Sequence, residues 1–589
     1  MVLWPHDRQS GPILPTTLHD LKKPVHRTRL NLFRRWRRLS RLQRTLLIGL
    51  LAVCLTGGML LANSYSFAKI KATLRPAQRD TAGGTTLASA RGRVVKVDEP
   101  DQADETLDEV EKEKQVVIMR EQVAKPNSLR FDGPKNERQR AVRDAMKHAW
   151  SNYKKHAWGF DHLKPISKSG ANWFNLALTI VDSLDTLIIM GMQEEFSDGR
   201  DYVLNNLRLD RNQYVNFFET TIRVLGGLLS AYHLTGEEQF LAKALDLGDR
   251  LSGAFNTPSK IPFSDVNLNL RKGKAPSWSV ESSLSEVSTV QLEFRDLSRQ
   301  TKQSRFETLS FASSLAIHKD GCHKHEGLCP MFINPKTGKF KPSGGAITFG
   351  ARADSYYEYL LKQWLQTGKT IDWLRDDYLR AMESMQKRLL RYSQPNKYAF
   401  VGELMAGSDK YYAKMDHLTC FLAGTLALGA VNGLPNEHML IAQQLGETCY
   451  HMYEATATGL SPEIAHFNML PGVDKGDIFI KPLDAHCLLR PEAIESWFYL
   501  YRLTGNSTYQ DWGWQAFQAI EKYAKTQNGY SSVQNAKKIP VTYRDHMESF
   551  FLGETLKYLY LLFDDDRQLL PLEKYVFNTE AHPLPIYNE

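Results

Sequence analysis

The sequence has 589 residues, 42 % hydrophobic and 11 % aromatic, which is enough for a large buried core with appendages. Its formal net charge of +8 is concentrated at one end: residues 1–45 hold eleven Lys/Arg against Asp7 and Asp20, so the rest of the chain is close to neutral. That excludes a basic body built to hold a nucleic-acid backbone, and six cysteines in this length exclude a disulfide scaffold.

Residues 1–44 read as a basic tail. The stretch 45–68 carries no charge, and its apolar heart, Leu46 to Ala62, is just long enough to cross a bilayer, for which about 20 residues are typical. A cleavable signal peptide is the competing reading, but the basic segment ahead is much longer than an ordinary n-region. The Arg34–Arg44 cluster favours a signal anchor with the tail in the cytosol and the body in the lumen. Residues 69–135 are polar and acidic, as in Asp98-Glu99-Pro100-Asp101, and read as a mobile stem without a core.

From residue 136 onward the pattern becomes helical. Gly226–Gly236 leading into Phe240–Leu245 has a counterpart in Glu495–Gly505 leading into Tyr509–Trp514, and similar breaks fall at Thr301, Gly368 and Gly433. Each unit is helix, Gly-containing turn, helix and a long loop, with few strand signals, at a spacing longer than most solenoid repeats. Such hairpins can stack as an open α-solenoid scaffold or close into a ring. Three acidic stations favour closure: Phe218-Glu219-Thr220-Thr221-Ile222-Arg223, Ala351-Arg352-Ala353-Asp354, and Arg490-Pro491-Glu492-Ala493-Ile494-Glu495. Only a ring brings Glu219, Asp354 and Glu492 to one axial cavity, so the expected fold is all-α, an (αα)7 toroid of helical hairpins. Carboxylates among aromatic and apolar residues suit a reaction that protonates one oxygen and activates a water; the plain alternative is helix caps and surface ion pairs.

These stations, with the C-terminal Phe577-Asn578-Thr579-Glu580-Ala581-His582-Pro583, resemble class I α-1,2-mannosidases, glycoside hydrolase family 47, over about Glu137–Ile586. The resemblance implies an inverting, Ca2+-dependent hydrolase acting on high-mannose N-glycans of glycoproteins, with Glu219 as general acid, Glu492 as the base and Asp354 as a third essential acid. It implies calcium on Thr579, with Glu286, Glu403, Glu463, Glu495, Glu548 and Glu554 as candidates for holding its waters or the sugar. Phe550 matches an aromatic that packs on the sugar, the alternative being a core helix phenylalanine like Phe551. Arg223 and Arg352 offer donor forks for sugar hydroxyls, and arginine at 352 is the mark of the endoplasmic-reticulum type, which removes one middle-branch mannose. His417 is a further substrate contact or a core histidine. Cys420 and Cys449 match the family's disulfide. Cys322 and Cys329 bracket a loop that reads as a small disulfide or, less well, a zinc site, and Asn506-Ser507-Thr508 is a glycosylation sequon. A glycan-binding degradation factor on the same toroid, with little catalysis, is the alternative function.

Overall fold

The inner and outer helices differ first in how they are buried. The computed structural model describes residues 131–587 apart from 278, 321, 323–325, 409 and 473–475. The basic tail, the apolar span and nearly all of the expected stem therefore lie outside the described residues; among those described, no helix is long and apolar enough to cross a membrane.

The helices that pair are α1 (Glu137–Ala157), α2 (Leu178–Ile189), α3 (Gln193–Asn205), α4 (Gly226–Thr235), α5 (Glu238–Leu251), α6 (Gln291–Thr301) and α7 (Arg305–Asp320). They continue with α8 (Asp354–Gln366), α9 (Asp372–Arg388), α10 (Phe421–Val431), α11 (Glu437–Glu454), α12 (Glu492–Thr504), α13 (Thr508–Tyr523) and α14 (Leu556–Leu562). Every residue of α2 and α8 is buried. By contrast α5 buries one stripe, Phe240, Ala244, Leu247, Gly248 and Leu251, at the spacing of a single helix face. A helix buried on all sides belongs inside, and one with a single apolar stripe belongs outside.

Local signals set the ends. Asn136 caps α1 by accepting from Gln139 N, with Glu137 in the first turn and Lys154, Lys155 and His156 in the last, which complements the helix dipole. Gly236 and Gly505 end α4 and α12 at φ 74° and 73°, where a side chain would be strained.

The inner helices α2, α4, α6, α8, α10, α12 and α14 each pack on the next. The turn Phe551–Thr555, ahead of α14, returns to pack on α2 and closes the ring. Gly553 permits that closure, because a Cβ there would stand 2.9 Å from the carbonyl oxygen of Asp182. Seven outer helices pair with the inner ones, α1 covering α14. The described structure is thus the all-α ring of seven hairpins expected from the repeat, and not an open solenoid.

Strands are two to four residues long and form local hairpins and small sheets between the helices. One matters for the site: Tyr575–Phe577 pairs with Pro583–Pro585, and this C-terminal hairpin packs on α4, α6 and α8. Cys420, just ahead of α10, is bonded to Cys449 of α11, and Cys322 to Cys329; Cys487 is free and buried.

Candidate active site

Each acidic station opens an inner helix. Glu219 lies in the short helix Phe217–Thr220, whose first turn is capped by Asn216 accepting from Glu219 N at 3.0 Å. The chain then widens into a π turn, Thr221–Leu225, before α4. In that turn Arg223 donates through Nε to Glu219 Oε2 at 3.0 Å. Its Nη1 reaches Ser549 Oγ at 3.3 Å, Asp182 Oδ2 at 3.5 Å and Glu580 Oε1. Arg223 therefore joins four segments of the ring and its hairpin. The fork expected to meet sugar hydroxyls is engaged mostly by protein carboxylates.

Asp354 begins α8. Its Oδ1 accepts from Ser285 Oγ at 2.8 Å and from Ser355 N at 2.9 Å. Burial outweighs both bonds and pushes this carboxyl up to about 7. Glu492 begins α12 and has the opposite balance. Burial disfavours its charge, but the hydrogen bond from His417 Nδ1 (2.7 Å), the His417 charge and Arg490 together hold it below the ordinary value. His417 makes its second ring contact with Tyr453 Oη at 3.0 Å. It orients Glu492 and does not line the cavity, so the structure gives it a different partner from the sugar.

Between the helix starts lies a cavity lined by Phe218, Phe550, Thr579 and six carboxylates: Asp354, Glu358, Glu492, Glu495, Glu554 and Glu580. Arg490 is the only basic residue among the described residues lining it. Thr579 reaches the cavity because the C-terminal hairpin presents it at its turn. Asn578 fixes that turn: its Oδ1 accepts from Glu580 N and His582 N, and its Nδ2 donates to Ile222 O and Glu293 Oε1. Below the cavity, Lys362 Nζ lies 2.5 Å from Glu358 Oε1 and 3.6 Å from Glu495 Oε1.

One lysine does not offset this concentration of acid. Burial first, then repulsion from Glu580 and Glu492, pushes Glu554 well above the usual carboxylate range. Burial also raises Glu495 to about 8, although Lys362 opposes the shift, and raises Glu580 to about 7 against Arg223. The donor set is all oxygen and short of positive charge. That combination suits a hard divalent cation.

Several expected site residues lie elsewhere. Glu286 is spent on a capping box with Ser283 and accepts from Asn216 and Ser264. Glu403 pairs with Lys414, Glu463 with Arg490, and Glu548 with His546. Glu219 does not line the cavity itself and reaches it through Arg223 and Glu580. Arg352 is half-buried, 5.3 Å from the Phe332 ring, with φ at 79°. A non-glycine residue held there stores strain, a common mark of a functional position. Phe550 lines the cavity with Arg223 and Arg490 each 5.8 Å from its ring, while Phe551 is core. The reading of the sequence missed Glu358, Glu580 and Lys362. Glu358 and Lys362 follow Asp354 at successive four-residue steps on one helix face, and Glu580 adjoins Thr579, so helical spacing alone could have flagged them.

Comparison with known proteins agrees with this geometry. Residues 145–586 match the family described as glycosyl hydrolase family 47. The endoplasmic reticulum mannosyl-oligosaccharide 1,2-alpha-mannosidase of Rattus norvegicus is 51 % identical over 524 residues, 88 % of this chain and 78 % of the relative. Mannosyl-oligosaccharide 1,2-alpha-mannosidase MNS3 of Arabidopsis thaliana is 46 % identical over 499 residues, 76 % of this chain and 79 % of the relative. The solved structure of an alpha-1,2-mannosidase from Trichoderma reesei superposes with a TM-score of 0.71 at 28 % identity, covering 77 % of this chain and all of that one.

Proposed function

The chain belongs to glycosyl hydrolase family 47, and from that premise we propose that it is an inverting α-1,2-mannosidase that trims mannose from high-mannose N-glycans of glycoproteins. The observation that carries this reading is the division of charge in one cavity. Glu492 is held ionised by His417 and Arg490, while Asp354, Glu495, Glu554 and Glu580 are pushed toward protonation. Pairs of carboxyl groups whose environments drive them apart are what acid and base roles require.

In this reading Glu492 removes a proton from water, which attacks the anomeric carbon from the face opposite the leaving oxygen and inverts it. Glu219 supplies the proton to the leaving oxygen through a bridging water, with Arg223 fixing its carboxylate. A second reading is favoured by a specific observation: Asp354 lines the cavity and is raised to about 7, so it carries a proton near neutrality and can itself be the acid. Phe550 presents its ring to the pyranose C–H groups.

Thr579, with Glu495, Glu554 and Glu580 behind coordinated waters, would hold calcium, which supplies a fixed positive charge and oxygen-seeking coordination for sugar hydroxyls. Arg352 would restrict the cavity to the middle branch, so that one mannose is removed. The expected residence is the endoplasmic reticulum, by the names of the relatives. There the chain would be anchored by residues 45–68, with the 1–44 tail cytosolic, the 69–135 stem lumenal and 136–589 forming the catalytic body. A glycan-binding factor without catalysis would have no use for an ionised Glu492 facing protonated neighbours.

The test is incubation of the full-length protein with a nine-mannose glycan, with and without calcium, following the released sugar by NMR. β-Mannose as first product and a single eight-mannose isomer are expected, with Arg352→Leu trimming further. Absence of release, or α-mannose first, overturns the reading. The acid is identified with an aryl mannoside bearing a good leaving group, which needs little protonation. The true acid is whichever of Glu219→Gln and Asp354→Asn recovers most of its lost rate on that substrate.

A further inference from the structure

Behind the sugar cavity is a group of side chains that the reaction above does not use. Strand His162–Lys164 meets the segment ahead of Phe550 in an antiparallel bridge between Leu163 and Met547, with Met547 N donating to Leu163 O at 3.0 Å. Side chains alternate faces along extended chain. The residues flanking that bridge, His162 on one segment and His546 and Glu548 on the other, therefore turn to the same side. Their ligand atoms all lie within 4.8 Å of one another, and all three residues are buried. His546 Nε2 stands 3.1 Å from Glu548 Oε2, and the two imidazole rings are 4.7 Å apart between centroids. Nδ1 of His162 is buried and makes no hydrogen bond.

We propose that His162, His546 and Glu548 form a second metal site, separate from the oxygen-lined cavity, which takes a borderline divalent transition cation such as zinc. Two imidazoles and one carboxylate are the donor set of three-ligand zinc sites, with a fourth position open. An all-oxygen cavity and a mixed nitrogen–oxygen triad select different ions, so calcium and zinc need not compete. Ser549 and Phe550 follow Glu548 directly, which places the site one residue from the Arg223 contact and two from the cavity wall.

The probe is cobalt(II), whose ligand-field absorption reports low-coordinate nitrogen–oxygen sites. Full-length protein without a histidine tag is stripped with chelator, resupplied with saturating calcium and titrated with cobalt. One equivalent with an intense visible band, displaced by zinc, is expected. His162→Gln and His546→Gln should each lower cobalt affinity at least ~10-fold, whereas Thr579→Ala should leave the band in place. The metal-free melting temperature of His162→Gln, read alongside, separates lost ligation from lost folding, and this variant suffices if His546→Gln does not fold. No band in the wild type, unchanged affinity in folded His162→Gln, or a band lost with Thr579→Ala overturns the proposal.

Discussion

Two buried clusters of charge lie close together in this ring and behave in opposite ways. On one side of Arg223, Asp185 lies 2.8 Å from Lys557 Nζ and accepts from His582 Nδ1 at 2.8 Å and from Ser230 Oγ. Asp182 lies 3.8 Å from His582 Nε2 and 3.5 Å from Arg223 Nη1. Burial is the largest influence on Asp185 and would raise it, yet Lys557 and His582 bring it down to about 2. His582 is raised in turn: burial opposes its charge, but Asp185 and Asp182 outweigh it. Here every acid has a cation, and the cluster pins the C-terminal hairpin to α2 and α14. On the other side, Asp354, Glu495, Glu554 and Glu580 are equally buried and short of cations, so their carboxyls rise. The difference separates a structural cluster, matched from within the chain, from one left unmatched for something that arrives from outside.

The largest effect expected from disturbing this contrast is catalytic. Glu492→Gln removes the cavity carboxylate that His417 and Arg490 hold below its ordinary value, and kcat should fall at least ~100-fold while glycan binding, measured by calorimetry, persists. Turnover near wild type would remove Glu492 from the role of base.

Next is the matched cluster. Lys557→Met leaves Asp185 buried with one cation fewer and should cost about 3–5 kcal/mol in urea unfolding with calcium present. A loss under ~1 kcal/mol would mean that Asp185 is matched well enough by His582 alone.

The pH dependence should differ between the two. The cavity carboxyls have folded values above their unfolded ones. Their contribution is therefore intact below the ordinary carboxylate value and is lost as pH rises through about 7–8. Chelator-treated protein should thus lose melting temperature across pH 5–8, and saturating calcium should flatten that decline by binding the folded state. Asp185 is depressed, so its contribution is present above the ordinary value and is lost as pH falls toward about 2. A calcium-free protein whose melting temperature rises with pH over 5–8 would contradict the unmatched cavity.

The smallest effect has a diagnostic sign. Glu495→Gln removes one unmatched carboxyl and should raise the melting temperature of calcium-free protein at pH 8 by about 1 °C, the equivalent of roughly 1 kcal/mol for a body this large. The same change should weaken calcium binding. Destabilisation without calcium would show that Lys362 already balances Glu495.

Much of this was legible in the residues. Helical periodicity, the glycines at 236 and 505 and the recurring hairpin required only local rules, because caps and amphipathic stripes act within a few turns. The stations at Glu219, Asp354 and Glu492, the Thr579 turn and the Cys420–Cys449 pair stood out through motif resemblance; Asp354, Glu492 and Thr579 line the cavity, Glu219 sits behind Arg223, and Cys420 is bonded to Cys449. What the chain alone left open was set at a distance. The acidic stations pointed to a ring, but the contact that closes it, the turn at Gly553 against Asp182, joins residues far apart in sequence. His417 as the partner of Glu492, Arg223 engaged by Asp182 and Glu580, and Glu286 spent on a cap depended on which side chains converge. Which acids are matched and which stay protonated depended on desolvation and Coulomb terms that change over a few ångströms. Composition and periodicity hold no such distances; only the closed ring does.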